Sequence, residues 1–181
     1  MKLPRILLLL ALLLAGCITN DPGGTTSQEL GVALSALSPS VDRNEAQRAA
    51  DCIYVTAARL KREYKITSSP TWHNFLIASG TRTKGFCYHW TEDILAALRP
   101  LQLKTLDIHW AIADRGKDTE SNALVLTAKG QPLPTGIVID AWRFGGRVFW
   151  KAANADHTYQ WQEDYSPYAR ARMAGLPPPR R

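Results

Sequence analysis

The apolar residues of this chain change their period near its middle, and that change limits the folds open to it. Ala46, Ala49, Ile53, Ala57, Leu60 and Tyr64 recur at intervals of three and four, which gives a helix one buried face. From Leu106 the spacing becomes two. Leu106, Ile108, Trp110 and Ile112 alternate with Thr105, Asp107, His109 and Ala111, the pattern of a half-buried strand. The first pattern predicts a helix over about 41–64, with Asp42 as N-cap and Glu45 three residues on. Further strands are expected at 123–128, 136–143 and 147–150, the last two joined across Gly145-Gly146. Connections this short imply an antiparallel meander. The fold class expected is α+β, with N-terminal helices packed on a four-stranded antiparallel sheet.

The ends of the chain read differently. Lys2 and Arg5 precede an Ile6–Leu14 run made only of Leu, Ile and Ala, and Ala15-Gly16-Cys17 follows. A charged start, a short apolar run and a small-residue site describe an export signal, and the run is too short to span a bilayer. Leu14-Ala15-Gly16-Cys17 resembles the lipobox of bacterial lipoproteins. That resemblance implies cleavage after residue 16, acylation of Cys17 and anchoring to a membrane. Ile18, where inner-membrane lipoproteins carry Asp, resembles those sent to the outer membrane. The domain plan expected is a signal peptide at 1–16, a lipidated flexible tether at 17–39, one α+β domain at 40–165 and a Pro/Arg-rich disordered tail at 166–181. Removing Lys2 and Arg5 lowers the formal charge from +6 to +4. The remaining positives form no stripe interleaved with aromatics, so no nucleic-acid partner is expected.

One stretch carries the candidate chemistry. Gly85-Phe86-Cys87-Tyr88-His89 opens a helix, with Cys87 in its first turn, where the helix dipole favours a thiolate. Cys87, Trp90, Ile94 and Leu98 share one face, whereas His89 and Glu92 lie off it. Gly85-Phe86-Cys87 ahead of a helix, followed by Ile139-Asp140-Ala141-Trp142 on a strand, resembles the papain-like cysteine fold in its transglutaminase-like form. The resemblance covers roughly residues 70–150. It implies a thiolate nucleophile at Cys87, an imidazole that carries the proton, and Asp140 to orient that imidazole. Backbone N–H groups at the helix start would hold the oxyanion. The family's histidine falls near Glu120-Ser121-Asn122, and no histidine stands there.

His109, beside Asp107 on the first strand, is the candidate substitute, and His73 lies just upstream of the Cys87 helix. His89 points away on geometry, and His157 has no motif around it. Asp140 has an alternative role, pairing with Arg143 or Arg147 within an apolar strand. Cys87 has one too. With Cys17 acylated, Cys52 and Cys87 remain as a pair in an oxidising compartment, and a Cys52–Cys87 disulfide would close a loop of about 35 residues, worth about 2–4 kcal/mol. No CxxC or HxxH spacing is present, so neither a metal nor another cofactor is expected. The functions this supports are amide hydrolysis or transfer through Cys87 on cell-wall peptide or protein, or non-catalytic binding by an envelope lipoprotein that lacks the base.

Overall fold

The computed structural model describes residues 26–179; the expected signal peptide at 1–16, Cys17 and the last two arginines lie outside the described residues. The long amphipathic pattern forms α2 (Arg43–Glu63), and the Asp42 side chain accepts the Glu45 N–H at 2.7 Å. Glu45 itself does not close the capping box back onto the cap. Its carboxylate turns inward and accepts from the N–H groups of Lys104, Thr105 and Leu106 at 2.7–3.0 Å, and from the Thr105 hydroxyl. One buried carboxylate thereby satisfies the backbone leading into the first strand and ties it to α2.

The alternating half of the chain forms β1 (Leu106–Ala113), β2 (Ser121–Ala128), β3 (Ile137–Phe144) and β4 (Arg147–Ala152). Every neighbouring pair is antiparallel. The β3–β4 turn is Gly145-Gly146, both at positive φ (59° and 94°), as a tight hairpin between right-twisted strands requires. The sheet has five strands rather than four. β5 (Gln162–Glu163) pairs with β1, giving the order β4-β3-β2-β1-β5. Two residues with no alternating pattern leave no periodic signal, so this strand is set by its partner.

Four further α-helices complete the described residues. In α4 (Cys87–Leu98), Trp90, Ile94, Leu95 and Leu98 are buried against the sheet. α3 (Pro70–Ala78) is capped by Ser69 and buries only His73, leaving Trp72 and Phe75 stacked at 5.0 Å and more than half exposed. The expected tether is overturned over its second half. Thr26 and Glu29 form a capping box for α1 (Ser27–Ser35), whose Leu30 and Leu34 are fully buried against α2. The expected disordered tail at 166–181 is overturned over its first half. Ser166 caps α5 (Pro167–Met173), Ala169 is buried, Tyr168 donates to Glu92, and Arg172 pairs with Glu92 at 2.9 Å. The domain therefore takes in both flanks.

The sheet has two covered faces. Trp110, Leu124, Leu126, Ile139 and Ala141 face α1, α2 and α4, while Ala111, Val125, Val138 and Phe149 face a layer of turns that includes Leu133, Ala153 and Trp161. Glu45 provides a measurable check on how α2 is fastened to this sheet. Burial pushes its carboxyl up, but the three N–H donors and the Thr105 hydroxyl together hold it below the usual range. A folded-state pKa below the unfolded one stabilises fully above about pH 4.3 and is lost as pH falls through the folded value. Glu45→Gln, which turns an N–H₂ group toward at least one of these donors, is expected to lose about 2 kcal/mol at pH 7. Most of that loss should be gone by pH 3, as read by urea unfolding at the two pH values.

Candidate functional site

Cys87 stands at the first helical position of α4, where the chain comes through Gly85 at φ +130°. A Cβ at Gly85 would lie 2.5 Å from the His73 ring, so only glycine lets the helix start this close to α3. The N–H groups just ahead of α4 are then claimed by an imidazole: His89 Nδ1 accepts from Gly85 N and Phe86 N at 3.1 and 3.2 Å. Those two N–H groups are therefore engaged and are not aimed at an oxyanion.

The sulfur faces the start of β2. The Asn122 side-chain amide donates from Nδ2 to Cys87 Sγ at 3.7 Å, and the thiol donates to the Glu120 carbonyl at 3.8 Å. Asn122 is 2% exposed, and its own carbonyl accepts from the Trp110 indole N–H at 2.8 Å. A buried amide with its oxygen bound to a donor presents N–H₂ to the sulfur and nothing that takes a proton. The carboxylate of Glu120 lies 3.4 Å from the same amide nitrogen and also accepts the Gly116 N–H. A carboxylate is a far weaker base than a thiolate, so it is a poor substitute for imidazole.

The histidines go elsewhere. His109 is on the opposite face of the sheet, where Nδ1 meets Glu163 Oε1 at 2.9 Å and Nε2 meets Thr127 Oγ1 at 3.0 Å. The expected substitution of His109 for the family's base is overturned by strand parity: His109 points with Ala111 and Ala113, away from α4. His73 is buried under the Gly85 turn with Nε2 against the Lys84 carbonyl at 2.9 Å, and its Nδ1 has no hydrogen-bond partner. His157 is exposed beside Trp161, in the layer of turns.

Asp140 also faces the turn layer. It accepts from the N–H groups of Trp142 and Arg143 and from Arg143 Nε, each at 3.0 Å. Arg143 reaches on to Asp156 at 2.6 Å and lies 3.9 Å over the Phe149 ring. Burial pushes the Asp140 carboxyl up against the pull of Arg143. Asp140 and Cys87 therefore belong to different faces of the sheet. The Cys52–Cys87 disulfide is overturned too. The two cysteines are not bridged, and Cys52 Sγ sits 3.3 Å from the Ala97 carbonyl. Ala97 is ten residues beyond Cys87 on the same helix, about 15 Å along its axis and far beyond disulfide reach.

Cys87 opens onto a cleft of about 630 Å³. Phe86, Tyr88, Trp142 and Tyr159 supply its aromatic lining, and Asp114, Asp118 and Glu120 come from the β1–β2 turn. The Trp142 indole is fixed by Asn74 of α3 at 3.3 Å, and burial pushes the Tyr159 phenol up. No protein-family model, curated protein or solved structure matches this chain. The site is thus read from its own residues. Sequence reasoning reached Cys87 and the neighbourhood of Asn122 but missed the amide's role. The available signal was Asn122 itself, a polar residue in step with Leu124 and Leu126 on the helix-facing side of an apolar strand.

Proposed function

We propose that this is a membrane-tethered envelope lipoprotein whose domain, papain/transglutaminase-like in outline, binds a peptide of the cell wall or of an envelope protein without cutting it. The observation that carries the reading is Asn122. The position nearest the sulfur on β2 holds an amide whose polarity Trp110 fixes, so what β2 offers the thiol there is a hydrogen-bond donor and not a base. The order of parts supports the outline: a cysteine opening a helix, then antiparallel strands with Asn122 at the head of one and Asp140 on the next. Asp140 departs from it, because it serves Arg143 on the other face. A cleft that is aromatic on one side and polar on the other suits an extended peptide, whose backbone needs hydrogen-bonding partners and whose side chains need surface to cover. The tether is acylated Cys17 in this reading; among the described residues no helix is long and apolar enough to cross a membrane.

Two measurements test it. Stem peptides released from purified cell wall are expected to be retained by the mature protein and recovered intact, with retention unchanged in Cys87→Ala. Cleavage products that vanish in Cys87→Ala would restore the hydrolase, and no retention would remove the cleft as a binding site. Separately, Cys17→Ser is expected to move the protein from the membrane fraction to the soluble one. A protein that stays with the membrane would contradict the lipid anchor.

A further inference from the structure

The two sides of the cleft differ in a way that selects a charge. Asp114, Asp118 and Glu120 stand together at the ends of the β1–β2 turn, and the lining contains no Lys, Arg or His. Basic side chains beside the lining are engaged elsewhere: Arg115, on the same turn, pairs with Asp164, and His89, stacked on Tyr88, accepts from Gly85 N and Phe86 N. Lys117, on the same turn, pairs with Asp114 at 2.8 Å. Arg143 lies 4.8 Å over the Tyr159 ring but outside the lining, held between Asp140 and Asp156. The aromatic side presents indole and phenol rings, whose faces attract cations. Glu120 brings its carboxylate to the Asn122 amide, so the acidic side reaches the floor beside Cys87 as well as the rim at Asp118.

Resting on the peptide-binding reading of this cleft, we propose that its ligand is a peptide segment bearing a positively charged side chain, a primary amine or a guanidinium, seated between Asp118–Glu120 and Trp142–Tyr159. A carboxylate pair on one side and aromatic rings on the other is the arrangement that holds a cation while its alkyl stem covers apolar surface. An acidic segment would meet like charge on the turn side and no counter-charge elsewhere in the lining. A neutral segment would keep the stacking and lose the ion pairing.

The test uses three end-blocked peptides that are identical except for one central residue: lysine, Nε-acetyl-lysine or glutamate. Each is titrated into the full-length mature protein by calorimetry at low and at physiological salt. The lysine peptide is expected to bind about tenfold more tightly than its acetylated counterpart, a gap that narrows as salt screens it. In Asp118→Asn/Glu120→Gln the gap should fall to about twofold, through weaker binding of the lysine peptide. Equal affinity for lysine and acetyl-lysine peptides, or a preference for glutamate, would overturn the charge selection and leave the peptide-binding reading standing. Failure of all three to bind would remove that reading with it. A gap undiminished in the double variant would place the cation elsewhere and refute the site.

Discussion

Arg143→Met is expected to cost about 3–5 kcal/mol of stability, the largest loss from a single substitution outside the apolar core. Arg143 stands between two carboxylates that have almost no access to water: the Asp140 side chain is 0% exposed and that of Asp156 is 2%. Methionine keeps the alkyl packing against Phe149 and Tyr159 and removes only the charge and its hydrogen bonds. Two buried carboxylates then face each other's neighbourhood without compensation. Burial pushes the Asp156 carboxyl up, but Arg143 and the Trp161 indole bring it below the usual carboxylate range. Its contribution is therefore complete at neutral pH and is lost as pH falls through the folded-state value. Without the Arg143 guanidinium only N–H donors and the Trp161 indole oppose burial at the two acids, both folded-state values rise, and the variant loses stability relative to wild type as pH climbs above about 4. The gap between wild type and variant should accordingly be widest at pH 7 and shrink toward pH 4.5 in urea titrations. A gap that is flat with pH would mean that the loss is one of packing, not of charge.

The same network shows how far the sequence could be read. The period change at mid-chain placed α2 and β1 through β4 to within about three residues, because burial of one face writes itself into the spacing of apolar side chains. α1 escaped notice for want of such a stripe. Its Gly-, Ser- and Thr-rich surroundings read as linker, although Thr26 and Glu29 already formed a capping box and Leu30 and Leu34 sat one turn apart. α5 is similar: Ser166-Pro167 is a cap and first-turn pair, and Tyr168 and Ala169 are the residues that dock on α4 and the sheet. At the site, the motif located Cys87 and the head of β2, but it could not fix which side each strand residue faces. The register Leu124↔Ile139 puts Ala141, not Asp140, on the side of Asn122, and the irregular pairing between Asp140 and Phe144 turns Asp140 toward Arg143. A one-residue difference in parity separates a triad from an ion-pair network. For the same reason Ser121 belongs to the turn-facing side with Ala123 and Val125, and Asn122 is the residue that meets the sulfur.

That parity makes the last prediction specific. Asn122→His is expected to leave Cys87 a slow thiol, with its alkylation rate at pH 6.5 within about threefold of wild type. The reason lies at Trp110. In a working triad the group behind the imidazole accepts the Nδ1 proton and leaves Nε2 bare toward the nucleophile. Trp110 does the opposite, since its indole N–H donates to whatever stands at position 122. An imidazole accepting that bond at Nδ1 carries its proton on Nε2 and offers the sulfur another donor, as Asn122 does now. The double variant Asn122→His/Trp110→Phe removes this constraint while keeping an aromatic ring against Tyr168. Its alkylation at pH 6.5 is expected to be faster than wild type by about tenfold or more, with a pH profile moved toward the imidazole range. Intact mass after timed iodoacetamide exposure reads the rate, and Cys52, whose thiol burial pushes up, serves as the internal slow control. If the single variant reacts as fast as the double, Trp110 does not set the polarity of position 122. If only the double reacts, the domain is two substitutions from an activated thiol, and the indole that holds the amide restrains Cys87 as much as the amide itself does.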